Sequence, residues 1–156
     1  MGIEEELKKL EKEKKDKEDK TQTEIQDWRL AVTKLYQDIT KWLKPSIDAK
    51  LIQIITTDIP ISGGPLGAYK MPKLEITMNN KTVVFEPTNR AGVTPKGRIS
   101  VYLKQKTNEK WSLRRLVDSA KNSSWEFYRP GEREFIETEE FNQKVLDEKL
   151  CQWVKA

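Results

Sequence analysis

The chain has 156 residues, of which 36% are hydrophobic and 35% charged, with a formal net charge of +4 and no histidine. That length holds one core of ordinary size plus an appendage, and five Trp, four Tyr and four Phe are too many for a disordered polymer. No stretch reaches the ~20 apolar residues of a membrane-spanning helix, the start is acidic where a secretory leader is basic and then apolar, and Glu6 stands where acylation of Gly2 requires Ser or Thr. A cytoplasmic protein with no membrane attachment is expected.

Without histidine the usual zinc sites cannot be built, and Ser or Cys nucleophiles lose their commonest base. Neither Ser-x-x-Lys nor Gly-x-Ser-x-Gly occurs, and the single cysteine, Cys151, falls within the apolar face of a C-terminal helix, where a thiol serves as a small hydrophobe. The remaining carboxylates, among them Glu75, Glu86, Glu126, Glu132, Glu134 and Glu137, read as solvated strand and loop positions. No enzyme activity, metal or cofactor is expected.

The charge is unevenly placed. Residues 1–24 hold seven Lys against seven Glu and two Asp, a local balance of −2, so the rest of the chain carries +6. Residues 1–20 read as a solvated helical lead-in stitched by Glu-to-Lys pairs four apart, such as Glu4 with Lys8 and Glu11 with Lys15, each adding roughly 0.2–0.5 kcal/mol. Its only sizeable apolar side chains are Ile3, Leu7 and Leu10, so fraying is expected.

Residues 21–156 read as a single α+β domain. Thr21 with Glu24 reads as a capping box at a helix start, after which Ile25, Trp28, Val32, Leu35, Ile39 and Trp42 recur at spacings of 3 and 4, an amphipathic seam nearly three heptads long. Ala31, Tyr36 and Leu43 widen the seam, and Pro45 ends or resets the helix near Lys44, giving a helix over 21–44 with residues 46–50 read as an added short turn. The seam serves either the chain's own sheet or a second copy, which makes these six residues the candidates for self-association in a homodimer.

Strands are predicted between residues 51 and 129. Residues 51–61 are rich in Ile and Thr, with Pro60 marking an edge or an end. Residues 62–67, Ser-Gly-Gly-Pro-Leu-Gly, form a loop that lacks the Lys-Ser/Thr of a phosphate site. Leu74, Ile76 and Met78 alternate into an Asn79-Asn80 two-residue turn, and residues 82–86 return as the partner strand. After a long loop over 87–97, Ile99, Val101 and Leu103 alternate as far as Lys106, a turn at 107–109 follows, uneven spacing from Trp111 to Val117 predicts a bulge, and residues 125–128 make a last strand. Thr138 reads as the N-cap of a helix over 138–154, with Glu139 and Glu140 in its first turn. The predicted fold is therefore a long N-terminal amphipathic helix, a five- to six-stranded mostly antiparallel sheet and a C-terminal helix.

Residues 96–121 carry a net charge of +6, the whole excess of the domain. On one strand Tyr102 precedes Lys104 and Lys106, an aromatic and two cations on one face, a pattern that suits phosphates with a stacked base. Arg114 and Arg115 extend it, and in and beside the long loop Arg90 and Arg98 are the preferred anion contacts, with Lys96 a further candidate. Arg129 and Arg133 form a second patch. The competing readings are a solvated outer face, with Lys guarding a sheet edge, and a pairing of Arg98 with Glu86.

The skeleton Trp28, Trp42-Leu43-Lys44-Pro45, Tyr69-x-x-Pro72-x-Leu74, Phe85-x-Pro87 and Gly97-Arg98, closed by a Phe-containing C-terminal helix, resembles a group of short bacterial or phage proteins without an assigned activity. The resemblance spans about residues 25–154 and implies no catalytic or ligand residue. A non-enzymatic binding protein is expected, engaging a protein partner as antitoxins, immunity proteins and inhibitors do. Nucleic acid or another anion on the basic face is the alternative.

Overall fold

The computed structural model describes residues 2–61, 68–88, 98–117, 119–120, 123–128 and 138–155. A first helix, α1 (Ile3–Asp48), leads into strands β1 (Ile52–Ile61), β2 (Tyr69–Met78), β3 (Lys81–Pro87), β4 (Arg98–Leu103), β5 (Lys106–Val117), β6 (Ser123–Tyr128) and β7 (Thr138–Glu140), and a second helix, α2 (Gln143–Val154), follows. The seven strands form one open antiparallel sheet in the order β1-β2-β3-β4-β5-β6-β7, so each strand pairs with its neighbours in sequence. The α+β class holds, with seven strands in place of five or six.

The two predicted helical segments are one helix of 46 residues, about 69 Å long at 1.5 Å per residue. Pro45 does not end it. The proline removes one backbone donor, but the turn beyond it continues with Ala49 N–H on Pro45 O (3.1 Å) and a Lys44–Asp48 ion pair (3.2 Å), while Ile47 packs on the core. The helix stops at Lys50, whose φ is 62°. Lys50 N–H reaches Ile47 O and Leu51 N–H reaches Ser46 O, each at 2.9 Å, the Schellman arrangement with lysine where glycine is usual.

The seam of α1 lies on the sheet's inner face. Trp28, Val32 and Ile39 are fully buried, and Ile25, Leu35, Tyr36 and Leu43 nearly so, together with Leu74, Ile76, Val83, Phe85, Ile99, Val101, Leu103 and Leu113 from the strands. Trp28 meets Trp125 at 5.9 Å between ring centroids, and Trp42, half-buried, meets Phe141 at the same distance. From α2, Leu146, Leu150 and Trp153 close the far side. At roughly 25 cal/mol per Å² of apolar surface, each buried residue of this kind stabilises the domain by about 2 kcal/mol.

Burial in β2 changes parity at Met71–Pro72: Tyr69 and Met71 are buried before it, Leu74, Ile76 and Met78 after it. The pairing explains the switch. β3 joins β2 only from Leu74↔Phe85 onward, so residues 69–73 pair with β1 alone and the free end of that hairpin turns across the helix. Arg29 donates to Lys70 O (2.9 and 3.3 Å), and the Tyr36 hydroxyl donates to Pro72 O (2.9 Å) with Phe85 O at 3.2 Å.

Two more boundaries differ from expectation. The turn after β4 is at Lys104–Gln105, not at 107–109, because Gln105 clamps it to the neighbouring hairpin, accepting from Thr82 N–H (3.2 Å) and donating to Asn80 O (3.1 Å). The ladder irregularity accordingly falls between Tyr102 and Leu103. Residues 138–140 are an edge strand on β6 and not the start of α2, whose cap is Asn142, its side chain accepting from Val145 N–H at 3.0 Å.

Candidate functional site

The outer sheet face is built of side chains that alternate with the core. Its rows run straight across the ladder: Arg98, Arg114, Glu126 and Glu140 occupy facing positions on β4 to β7, and Glu75, Val84, Tyr102 and Lys110 on β2 to β5. Opposite charges on neighbouring strands satisfy one another. Arg114 hydrogen-bonds Glu126, whose carboxyl is held below its ordinary range by a hydrogen bond from Thr138 and by Arg114. Along β2 itself, Lys73 pairs with Glu75 at 3.2 Å. Tyr102 donates to Glu86 at 3.5 Å, under the Nζ of Lys110 at 5.0 Å from its ring centre, and partial burial and Glu86 push its phenol pKa up.

The eight candidate anion contacts do not form one surface. Arg90 and Lys96 lie outside the described residues, as do Arg129 and Arg133. Arg115 points inward: it is 5% exposed, grips Asp27 of α1 through two nitrogens (3.0 and 3.3 Å) and donates from Nε to Ser123 (2.9 Å). Arg114 is engaged with Glu126 on the outer face, and Glu86 takes Tyr102 as its hydrogen-bond donor. Lys104 sits in the β4–β5 turn and Lys106 pairs with Leu103, so Tyr102, Lys104 and Lys106 do not share a strand face. Lys110, beside Tyr102, was not among the candidates; the cross-strand register that brings it there is invisible from one strand alone.

The six candidates for self-association divide differently. Ile25, Trp28, Val32, Leu35 and Ile39 are at most 4% exposed and Trp42 is half-buried on Phe141, all against the chain's own sheet and C-terminal segment. In the single chain these side chains are covered by its own sheet and C-terminal segment.

Among the described residues, the part of α1 that packs against no other element is its first half. Residues 2–20 and 22–23 are exposed, and about 30 Å of helix runs clear of the sheet. Along it Ile3, Leu7 and Leu10 are 76%, 57% and 57% exposed; Leu51 (70%) and Leu30 (68%) are as open but stand singly. A helix wheel of residues 3–10 carries that signal, and only its shortness hid it.

Among the described residues, recesses adjoin the helix. One, of about 430 Å³, lies between α1 and the β1–β2 hairpin, with Tyr36, Thr40, Lys41, Lys44, Thr56 and Pro72 around it. A second, of about 420 Å³, adjoins the helix end at Ile47, Lys50 and Asn79. A third, of about 330 Å³, surrounds the Asp27–Arg115 pair. Among the described residues no cluster of three or more Cys, Asp or Glu is placed to hold a metal ion, and no helix is long and apolar enough to cross a membrane. Compared with protein-family models, with curated proteins and with solved structures, the chain matches none of them.

Proposed function

We propose that this is a non-enzymatic binding protein that engages a protein partner through the projecting half of α1, with the α+β domain as the rigid body that holds the helix. The observation that carries the reading is the stripe Ile3, Leu7 and Leu10, exposed on a helix whose later turns are anchored by a continuous buried seam. Helices without tertiary packing are marginal in water, and apolar side chains at spacings of 4 and 3 are the pattern by which a helix recognises another helix. The anchored segment lowers the ordering cost of the free one, because the nucleus from which it propagates is already folded.

Site-specific photocrosslinking in the native cell tests this. A photoreactive side chain at position 7 yields an adduct of discrete mass that the same group at position 5, on the opposite side of the helix, does not. Equal labelling from both positions, or from neither, refutes the reading. An anion-binding role through the basic strands is the weaker alternative: Arg114 and Arg115 are engaged within the fold, leaving Arg98, Lys104 and Lys106 on different parts of the surface.

A further inference from the structure

The charges flanking the exposed stripe specify the chemistry of its occupant, granted that the projecting half of α1 is the docking element. With Ile3, Leu7 and Leu10 on the contact line, heptad geometry places Glu4, Glu6, Glu11 and Glu13 along its two edges. Lys8, Lys9, Lys12 and Lys15 fall toward the back, and the Lys8–Glu4 ion pair (3.3 Å) joins back to edge. Lys14 and Lys17 continue the contact line beyond Leu10, which ends the apolar stripe after about a heptad and a half. On an ideal helix this stripe lies on the same side of α1 as the seam buried beneath the sheet, within about 20°.

A second copy is a poor occupant. Packed parallel, Glu6 of one copy faces Glu11 of the other and Glu13 faces Glu18; packed antiparallel, the glutamate edges again meet each other. Like charges at these positions set pairing against self-association, and opposite charges set it toward a partner. We propose that the projecting half of α1 binds a different polypeptide, an amphipathic helix with a short leucine- or isoleucine-type stripe edged by lysine or arginine.

The test uses the full chain and two synthetic helical peptides of equal length and identical leucine stripe, one edged with Lys and one with Glu, each carrying a fluorophore read by anisotropy. The Lys-edged peptide is expected to bind at least tenfold more tightly, and a fourfold variant with Glu4→Lys, Glu6→Lys, Glu11→Lys and Glu13→Lys, all at exposed positions, is expected to invert the preference. A Leu7→Ser/Leu10→Ser variant should lose the Lys-edged peptide by a similar factor. Equal affinity for both peptides overturns the proposal. So does Lys-edged binding unchanged by Leu7→Ser/Leu10→Ser, which would be adhesion of a cation to an acidic tip. Micromolar dimerisation of the full chain by light scattering, abolished in the same double variant, overturns the basic partner and leaves α1 as the docking element. No peptide binding, no dimer and no photo-adduct at position 7 together overturn the docking reading itself.

Discussion

Removing the carboxylate of Asp27 should destabilise the domain by about 2 kcal/mol, although the residue lies on an exposed helix flank. Two limits bracket the figure: exposed ion pairs contribute roughly 0–1 kcal/mol, while breaking a buried pair by deleting one partner costs about 3–5 kcal/mol. The pair spans both regimes, since the Arg115 side chain is 5% exposed and that of Asp27 is 60% exposed. Asp27→Ala leaves a guanidinium beneath α1 with Ser123 as its remaining side-chain partner, and water entering the recess where the carboxylate stood recovers part of the loss. Arg115→Met in the same background removes the stranded charge at similar volume, and stability should return to within about 0.5 kcal/mol of the parent. Urea unfolding followed by tryptophan emission reads both, because Trp125 borders the pair. With a slope of about 2 kcal/mol per M for a domain of this size, the midpoint should fall by about 1 M in Asp27→Ala. A shift under a quarter of that, or no rescue by Arg115→Met, would refute the account of the pair as a buried cation answered by a surface anion.

Four further outcomes follow from the fold. A chain beginning at Gln22 should unfold within about 0.5 kcal/mol of the full one in the same assay, since the side chains described before that point are exposed. Lys50→Gly should stabilise by about 0.5–1 kcal/mol by calorimetry, because it relieves a left-handed lysine at the end of α1. Burial pushes the Tyr36 phenol far above its ordinary value of 10.0; the stability this represents is intact below that pH and is lost as pH rises past it, so Tyr36→Phe should unfold less steeply with pH above about 10 by circular dichroism, while being about 1 kcal/mol weaker at neutral pH. Glu126, held down by Thr138 and Arg114 from 4.5, stabilises above that pH and loses its contribution as pH falls through its folded value, and Glu126→Gln should flatten the acid limb of a thermal melt series below pH 4.5.

Local rules carried the elements whose partners lie close by. The alternation of three and four from Ile25 to Trp42 located the buried side of α1 because helical period alone decides it. Asn79-Asn80 gave away its turn because asparagine tolerates positive φ, and both residues have it (44° and 66°). Misreadings arose where a distant group chose between local options. Thr138 has the chemistry of a helix cap, but Glu126, twelve residues earlier, accepts its hydrogen bond, and Asn142 caps α2 in its place. Lys104–Gln105 has no turn residue, and the clamp of Gln105 on Asn80 and Thr82 is a contact between hairpins. In Arg114-Arg115 strand alternation alone requires one side chain out and one in; the anion that makes the inward one tolerable is Asp27, 88 residues away. The outer face looked like a cation stripe because its glutamates come from other strands. The stripe at Ile3, Leu7 and Leu10 was legible but discounted as too short, and its meaning depends on the anchored seam that follows.

The uninterrupted meander also sets an order of events during synthesis. Every strand finds its neighbour in the stretch made just before it, so the sheet grows hairpin by hairpin and no strand waits for a remote one. The helix has the opposite history. It is made first, and Trp28, Val32 and Ile39 face water until β2 to β4 arrive to cover them. A permuted chain that placed α1 after α2 would emerge with its sheet ready to receive the helix, and its soluble yield in cell-free translation without chaperones should exceed that of the natural order.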